Sequence, residues 1–413
     1  MATFRQSMGS VAVGRLLATE LPLVDPIWEG PISMTNPLAL TVALLATTSF
    51  VLAGGEGEKK GGDKAAAKST PSVLSHLSGW SYKGTNVDAA VSHSMQLRVD
   101  YTDTDEGRDV MNVDVRRVRS SASGSVYGLD YKVQNDWTED NSIKDAWLNW
   151  NMQDSDAYSV GVKLGQYKTA FGREYNTSYT NLEFMDRSNA SEHFSGTRSR
   201  AVTVHGAAKA SGLNWAVSMA NDSANGADEA GDNDHNEMDY TFSVNWSSNA
   251  KAVRMGGSEG ALNSDTGFGI GFAHFKGNGL DSTTGANTET ESNNIWASWK
   301  SNSGIAANLE MFTSEGEVQD GPVTSDEDGY SASLSWTAAA VAEQAQWGVA
   351  IRYSGIENDT ADDEDNRFEL VFNRYSAGHK YKTQFGLTHN SDKTGVANHV
   401  EDYVLGVQTT VVF

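Results

Sequence analysis

The chain has 413 residues, enough for one large β domain or two ordinary ones, and it carries 40 Gly, 6 Pro and no Cys. The lack of cysteine excludes disulfides, zinc thiolate sites and cysteine nucleophiles together. A formal net charge of -23 disfavours nucleic acid as a partner, because phosphate binding needs a basic footprint.

The first feature in chain order is an uncharged apolar run, PLALTVALLATTSFVLAG, at 37–54. Its roughly 16 apolar or neutral residues are short for a spanning helix, which needs about 20, and they suit a signal-peptide core ending at a small-residue cleavage pattern. A start at Met34 gives a normal apolar region, although the expected Lys or Arg before it is missing; residues 1–33 then read as an over-long start. GGEGEKKGGDKAAAKSTPS (54–72) has no core-forming residue and reads as linker. The expected organisation is a start region and signal peptide at 1–53, a flexible periplasmic linker at 54–78 and a folded domain at 79–413 without transmembrane helices.

From about residue 94 apolar side chains take every second position, the pattern of a strand with one apolar face. Tyr158, Val160, Val162 and Leu164 alternate with Ser159, Gly161, Lys163 and Gly165; Tyr240, Phe242, Val244 and Trp246 alternate with Thr241, Ser243 and Asn245. The strands expected in this way are 94–102, 110–122, 125–136, 143–152, 157–166, 199–207, 212–221, 238–248, 266–275, 292–300, 304–313, 329–337, 345–355, 366–375, 379–389 and 402–413. About sixteen strands in one sheet must curl, split or close. A barrel with lipid outside and water inside explains the alternation on every strand. Aromatics at segment ends, among them Tyr101, Trp137, Trp150, Tyr158, Trp246, Trp299, Trp336, Trp347, Tyr353 and Tyr403, match interfacial girdles.

The connections alternate between short turns and long loops, as in a bacterial outer-membrane barrel whose short side is periplasmic. The segment 249–265 is the exception, long where a short turn is expected. Acidic clusters at 222–239, 313–329 and 357–366 fall on the long-loop side; such runs are ordinarily solvated loops, and none has the spacing of a calcium loop. The chain closes on YVLGVQTTVVF (403–413), with Phe413 on the apolar face. That strand is expected to pair with the first and remove both edges. Phe413 resembles the signal read by outer-membrane assembly machinery.

The least strand-like stretch, 163–200, contains LGQYKTAFGRE and NLEFMDRS. Together with VDVRRVRSSASGSVYGLDYKVQNDW (113–137), it resembles the phosphate-selective porin O and P family. Ala170, Arg173 and SGTRSRAV depart from that family's usual form. The resemblance implies an all-β fold, a transmembrane antiparallel β-barrel of about 16 strands whose third long loop folds inward. It also implies a homotrimer that passes small anionic solutes such as phosphate through the outer membrane, among outer-membrane lipids and without a cofactor.

Candidate pore and anion-binding residues are Arg98, Arg117, Arg119, Lys132 and Lys163 on the wall, with Lys168, Arg173, Arg187, Arg198 and Arg200 in or beside the loop. Rings of Lys and Arg bias a pore toward anions. Simple alternation cannot place Arg116, Arg117 and Arg119 together with Val113 and Val115; a bulge near Arg116 resolves the conflict. The alternatives are a general non-selective porin, a barrel enzyme and a secreted sandwich or adhesin. Against an enzyme, RSNAS and TRSRA have no nearby His–Asp arrangement, and His205 sits on a lumen face among Thr and Ser. Against a sandwich, apolar faces on every strand would need a larger core than a soluble domain of this length forms.

Overall fold

The computed structural model describes residues 79–104, 109–139, 143–195, 198–223, 238–280, 287–318, 323–341, 344–394 and 398–413. The regions read as signal peptide and linker, and most of the 222–239 acidic cluster, lie outside the described residues. The strands are β1 (Trp80–Lys83), β2 (Val87–Thr104), β3 (Val110–Val126), β4 (Leu129–Asp136), β5 (Ile143–Asp154), β6 (Tyr158–Tyr167), β7 (Ser199–Ala208), β8 (Leu213–Ser223) and β9 (Asp239–Ser247). They continue as β10 (Gly267–Leu280), β11 (Asn287–Lys300), β12 (Ile305–Val318), β13 (Val323–Thr337), β14 (Gln346–Asn358), β15 (Asp363–Tyr375), β16 (Tyr381–Thr394) and β17 (Asn398–Val412).

Strands β2 to β17 each pair antiparallel with their sequence neighbours, and β17 pairs with β2 through Leu405↔Tyr101 and Val411↔Met95. The sheet is therefore a closed barrel of sixteen strands. Closure matters because a membrane offers no water to an unpaired strand edge. The seam continues at Phe413, whose N–H donates to the His93 carbonyl at 2.8 Å and whose carbonyl accepts from the His93 N–H at 2.6 Å. Strand β1 was not expected: its four residues WSYK are too few to show a period, yet they pair with the start of β2 through Trp80↔Val91.

Alternation sorts the two faces. In β10, Phe268, Ile270 and Phe272 point out and are exposed, whereas Gly267, Gly269 and Gly271 line the inner face. Outward aromatics gather at two levels. Trp246 and Tyr240 on β9, like Trp347 and Tyr353 on β14, stand six residues apart, about 20 Å along a strand. That spacing is close to the apolar band of outer-membrane barrels.

Four connections expected as long loops, 276–291, 314–328, 356–365 and 390–401, are instead mostly strand: β10–β11, β12–β13, β14–β15 and β16–β17 run on as hairpins. Their pairing persists through Glu291↔Glu315 and Asp365↔Asp392. Beyond the membrane no apolar face is needed, so the period disappears from the sequence while the backbone ladder continues. On the opposite side of the barrel the wall is lower, with only 8 residues in β4 and 10 each in β6 and β7.

The conflict in β3 is resolved by a bulge. Gln96 faces Arg117 and the next pair is Leu97↔Val115, which leaves Arg116 as the extra residue. Val113 and Val115 point outward, and Arg117 is buried on the inner face.

Candidate functional site

The connection between β6 and β7 carries two short helices, α1 (Arg173–Asn176) and α2 (Asn189–Ser195), and a 3₁₀ turn at Tyr179–Asn181. It is folded by its own polar groups. The Asn176 amide donates to the carbonyls of Thr169, Phe171 and Gly172 at 3.0, 3.0 and 2.9 Å. Glu174 accepts from the Ser188 N–H at 2.9 Å and the Ser188 hydroxyl at 2.6 Å.

The segment is tied to inward side chains of the far wall. Lys382 donates to the Leu182 carbonyl, and Gln384 and Asn373 donate to the Glu183 carbonyl at 2.9 and 3.0 Å. Arg352 bridges Glu174 and Glu369, donating to the latter at 2.5 Å, and reaches the Asp186 carbonyl at 2.9 Å. Phe184 packs with Ala350 and Val371, and Phe171 with Ala190, Ala273 and Phe312. Gly386 and Gly406, paired across β16 and β17, leave the dent that Met185 fills.

A second segment meets it from the short-turn rim. Residues 248–266, between β9 and β10, bury Ala252, Val253, Glu259 and Ala261. Val253 and Ala252 pack with Trp296 over the small inner surface left by Gly267 and Gly269. Ser258 accepts from Arg173 at 3.1 Å and from Lys300 at 2.6 Å; Gly257 accepts from Thr177 at 2.9 Å; Glu259 accepts from the Glu183 N–H at 2.9 Å.

The cations divide between the two sides. Arg98, Arg116 and Arg117 converge on Asp186, at 2.6, 3.4 and 3.7 Å. Arg119 holds Asp136 at 2.7 Å; Lys132 and Arg198 share Asp145 at 2.5 and 3.0 Å. Lys163 lies 4.2 Å from the Trp147 ring centroid and 4.0 Å from that of Tyr167. Lys168 donates to the Tyr175 carbonyl at 2.5 Å. Tyr179 is stacked between Arg117, 3.4 Å from its centroid, and Arg187 at 3.6 Å. Arg187 is itself buried, donating to the Glu174 and Thr177 carbonyls.

Two sequence candidates fall elsewhere. Arg173 is buried in the acid-rich side, where its backbone N–H donates to Glu310 at 2.5 Å. Arg200 is on the outer face of β7, with exposed Val202 and Val204 and opposite in sense to inward Ala201 and Thr203. The strand begins at Ser199, so strand parity, not loop geometry, sets its direction. His205 bonds to Asn149 at 2.6 Å. Sequence reading missed Tyr179 and the keystone role of Asp186; an aromatic and an acid inside an arginine-rich loop were the available signals.

The loop groups show the field of this arrangement. Burial pushes the Asp186 carboxyl up, but Arg98 and then Arg116 and Arg117 outweigh it and hold it far below the usual carboxylate range. Burial, followed by Arg187, Arg198 and Arg119, holds Lys168 well below the usual lysine range. Burial, and then Glu174, raise Glu259.

Residues 88–269 match the family model described as phosphate-selective porin O and P. No curated protein matches the chain in sequence. Among solved structures, the outer membrane channel DcaP of Acinetobacter baumannii aligns at TM-score 0.55 and 10% identity, over 80% of this chain and 99% of that one. The anion-selective porin from Comamonas acidovorans aligns at TM-score 0.53 and 12% identity, over 78% and 99%. The trimer form of OmpT from Vibrio cholerae aligns at TM-score 0.50 and 13% identity, over 79% and 99%. At these identities the likeness is one of fold.

Proposed function

From a sixteen-stranded bacterial outer-membrane barrel of porin architecture, with residues 88–269 matching the phosphate-selective porin O and P family, we propose a passive channel that prefers small anions, phosphate among them. The family match and the porin-like fold support a channel over an enzyme. The observation that carries the selectivity is charge left unpaired on the β3–β7 wall. Among the described residues, Arg119, Lys132 and Arg198 form ion pairs with Asp136 and Asp145 only. Lys163 has no carboxylate within 4.0 Å among the described residues; Lys168 has none either, but its burial among Arg187, Arg198 and Arg119 disfavours its charged form, so Lys163 carries the excess. An ion shedding water there meets net positive charge, and fixed cations lower the cost for an anion.

The loop at 168–195 leans on the opposite wall and leaves its Tyr179 edge toward this basic strip, so it narrows the path on the basic side. The test is the reversal potential of the purified protein in a planar bilayer under a salt gradient. An anion-to-cation permeability ratio above one supports the reading; a ratio of one supports a general porin. We further propose a homotrimer, supported by the trimeric relative in fold; chemical cross-linking of unheated protein decides it. Residues 1–53 act as export signal and 54–78 as periplasmic linker in this reading, and N-terminal sequencing of the mature protein checks both.

A further inference from the structure

The segment 248–266 is long for its rim. The neighbouring turns there are short: Ser301–Gly304 closes with the Gly304 N–H donating to the Ser301 carbonyl at 3.0 Å and the Ser301 N–H to the Ile305 carbonyl at 2.8 Å. The longer segment rises along the inner wall. The Asn308 amide donates to the Glu259 carbonyl at 3.4 Å, and Asn308 lies three positions in from Ile305, the rim end of β12. Its tip then meets the loop descending from the other rim, through Thr177, Glu183 and Arg173. What the two enclose is rich in carboxyl groups: Glu174, Glu183, Glu259, Glu310 and Glu369 are all buried there, beside Arg173, Arg352, Lys300 and Lys382. The basic strip on β3–β7 lies outside this enclosure.

We propose that 248–266 is a selectivity element: together with the loop at 168–195 it seals the carboxylate-lined side of the lumen, so that ions pass only along the basic wall. The inference rests on the channel reading and deepens its anion preference. Three observations carry it independently of charge. The inner face of β10 is built from Gly267 and Gly269, which make room for Ala252 and Val253. The contacts to the loop are hydrogen bonds with a backbone atom at one end, from the Glu183 N–H to the Glu259 carboxylate and from the Thr177 hydroxyl to the Gly257 carbonyl, and they hold the segment in one position rather than as a tethered plug. A Cβ placed on Gly260 would run into the Glu183 carboxylate, so the two segments are in close contact.

The test uses the full chain in planar bilayers. In one variant a short Gly/Asn hairpin turn replaces 250–265. In the second, Gly260→Val pushes the segment off the loop while keeping chain length. Both are first checked for heat-dependent gel mobility, and the second stands in if the first does not insert. Expected are a higher single-channel conductance and an anion-to-cation ratio lowered at least about twofold, because carboxylates join the ion path. Unchanged conductance overturns the inference, since the segment then seals nothing. Raised conductance at a constant ratio also overturns it, since the opened side is then not the acidic one. If the unaltered protein favours cations, the anion reading fails, while the direction of change in the variants still decides this inference.

Discussion

Lys163 is held by the rings of Trp147 and Tyr167 instead of by a carboxylate, and its charge therefore stays in the lumen uncompensated. At a few ångströms and an effective dielectric of about 20, one such charge is worth a few kcal/mol before screening by salt. Lys163→Glu should lower the anion-to-cation ratio on the order of threefold, read as a shift in reversal potential, and Lys168→Glu should act in the same direction. Tyr179 offers a second check. Its ring orders Arg117 and Arg187, and its hydroxyl donates to Glu192 at 3.0 Å. Tyr179→Phe keeps the stack and should leave selectivity unchanged. Tyr179→Leu removes an interaction of about 1 kcal/mol per cation and should broaden the distribution of single-channel conductances. Most of the wall residues were legible, because strand parity gives a side chain's face once the strand is known. Arg200 was misplaced although the strand start at Ser199 was expected: it was grouped with the loop's arginines, while strand parity turns it to the outer face beside Val202 and Val204. Tyr179 was missed because a ring stacked between two guanidiniums has no signature in spacing.

At the scale of elements, the sixteen membrane strands were readable from their period, whereas the hairpins above them were not, since polar residues on both faces carry no alternation. The inserted segment was visible only as an anomaly of length. Its docking should depend on pH. Glu259 has its pKa raised above the ordinary 4.5, first by burial and then by Glu174, with Arg352 and the Glu183 N–H opposing. A carboxyl raised in this way favours the docked state while neutral. That contribution is complete below the ordinary value and is lost as pH climbs through the raised one. Other groups facing it are Glu183, Arg173, Lys300 and Lys382, so its substitution is needed to assign the effect. Conductance should rise between about pH 5 and about pH 8, and Glu259→Gln should remove that step. A step that survives in Glu259→Gln assigns the titration to another group. Excising Tyr179–Ser195 should raise conductance as well, by widening the path beside the basic wall.

For the whole molecule, total and local charge point in opposite directions. A net charge of -23 predicts cations, yet the acid of the β14–β15 tip, Asp359 and Asp362, stands in water, where fields decay within about 8 Å at physiological salt. The lumen cations act at shorter range. Anion preference should therefore be clearest at high salt and weaken at low salt, where rim acid repels anions before entry. Permeability ratios at two salt concentrations test this, and a preference for cations at both would show that the rim governs. The same opposition explains why composition alone misleads about such proteins: acid at the rim acts through water, whereas the lumen cations act on the ion at close range.

The extra residue in β3 has a consequence for how this barrel can change. Val115 points outward and Arg117 inward, so deleting Arg116 leaves the alternation intact on both sides of the cut. A whole codon can be gained or lost there without exchanging lipid-facing for water-facing side chains. Deletion of Val113, within regular pairing, would invert one flank of the strand. The Arg116 deletion should thus insert normally, judged by heat-dependent mobility, while the Val113 deletion should not. Lineages, or engineers, can then tune the charge beside Asp186 in single steps, at a point where the barrel wall tolerates a change in its length.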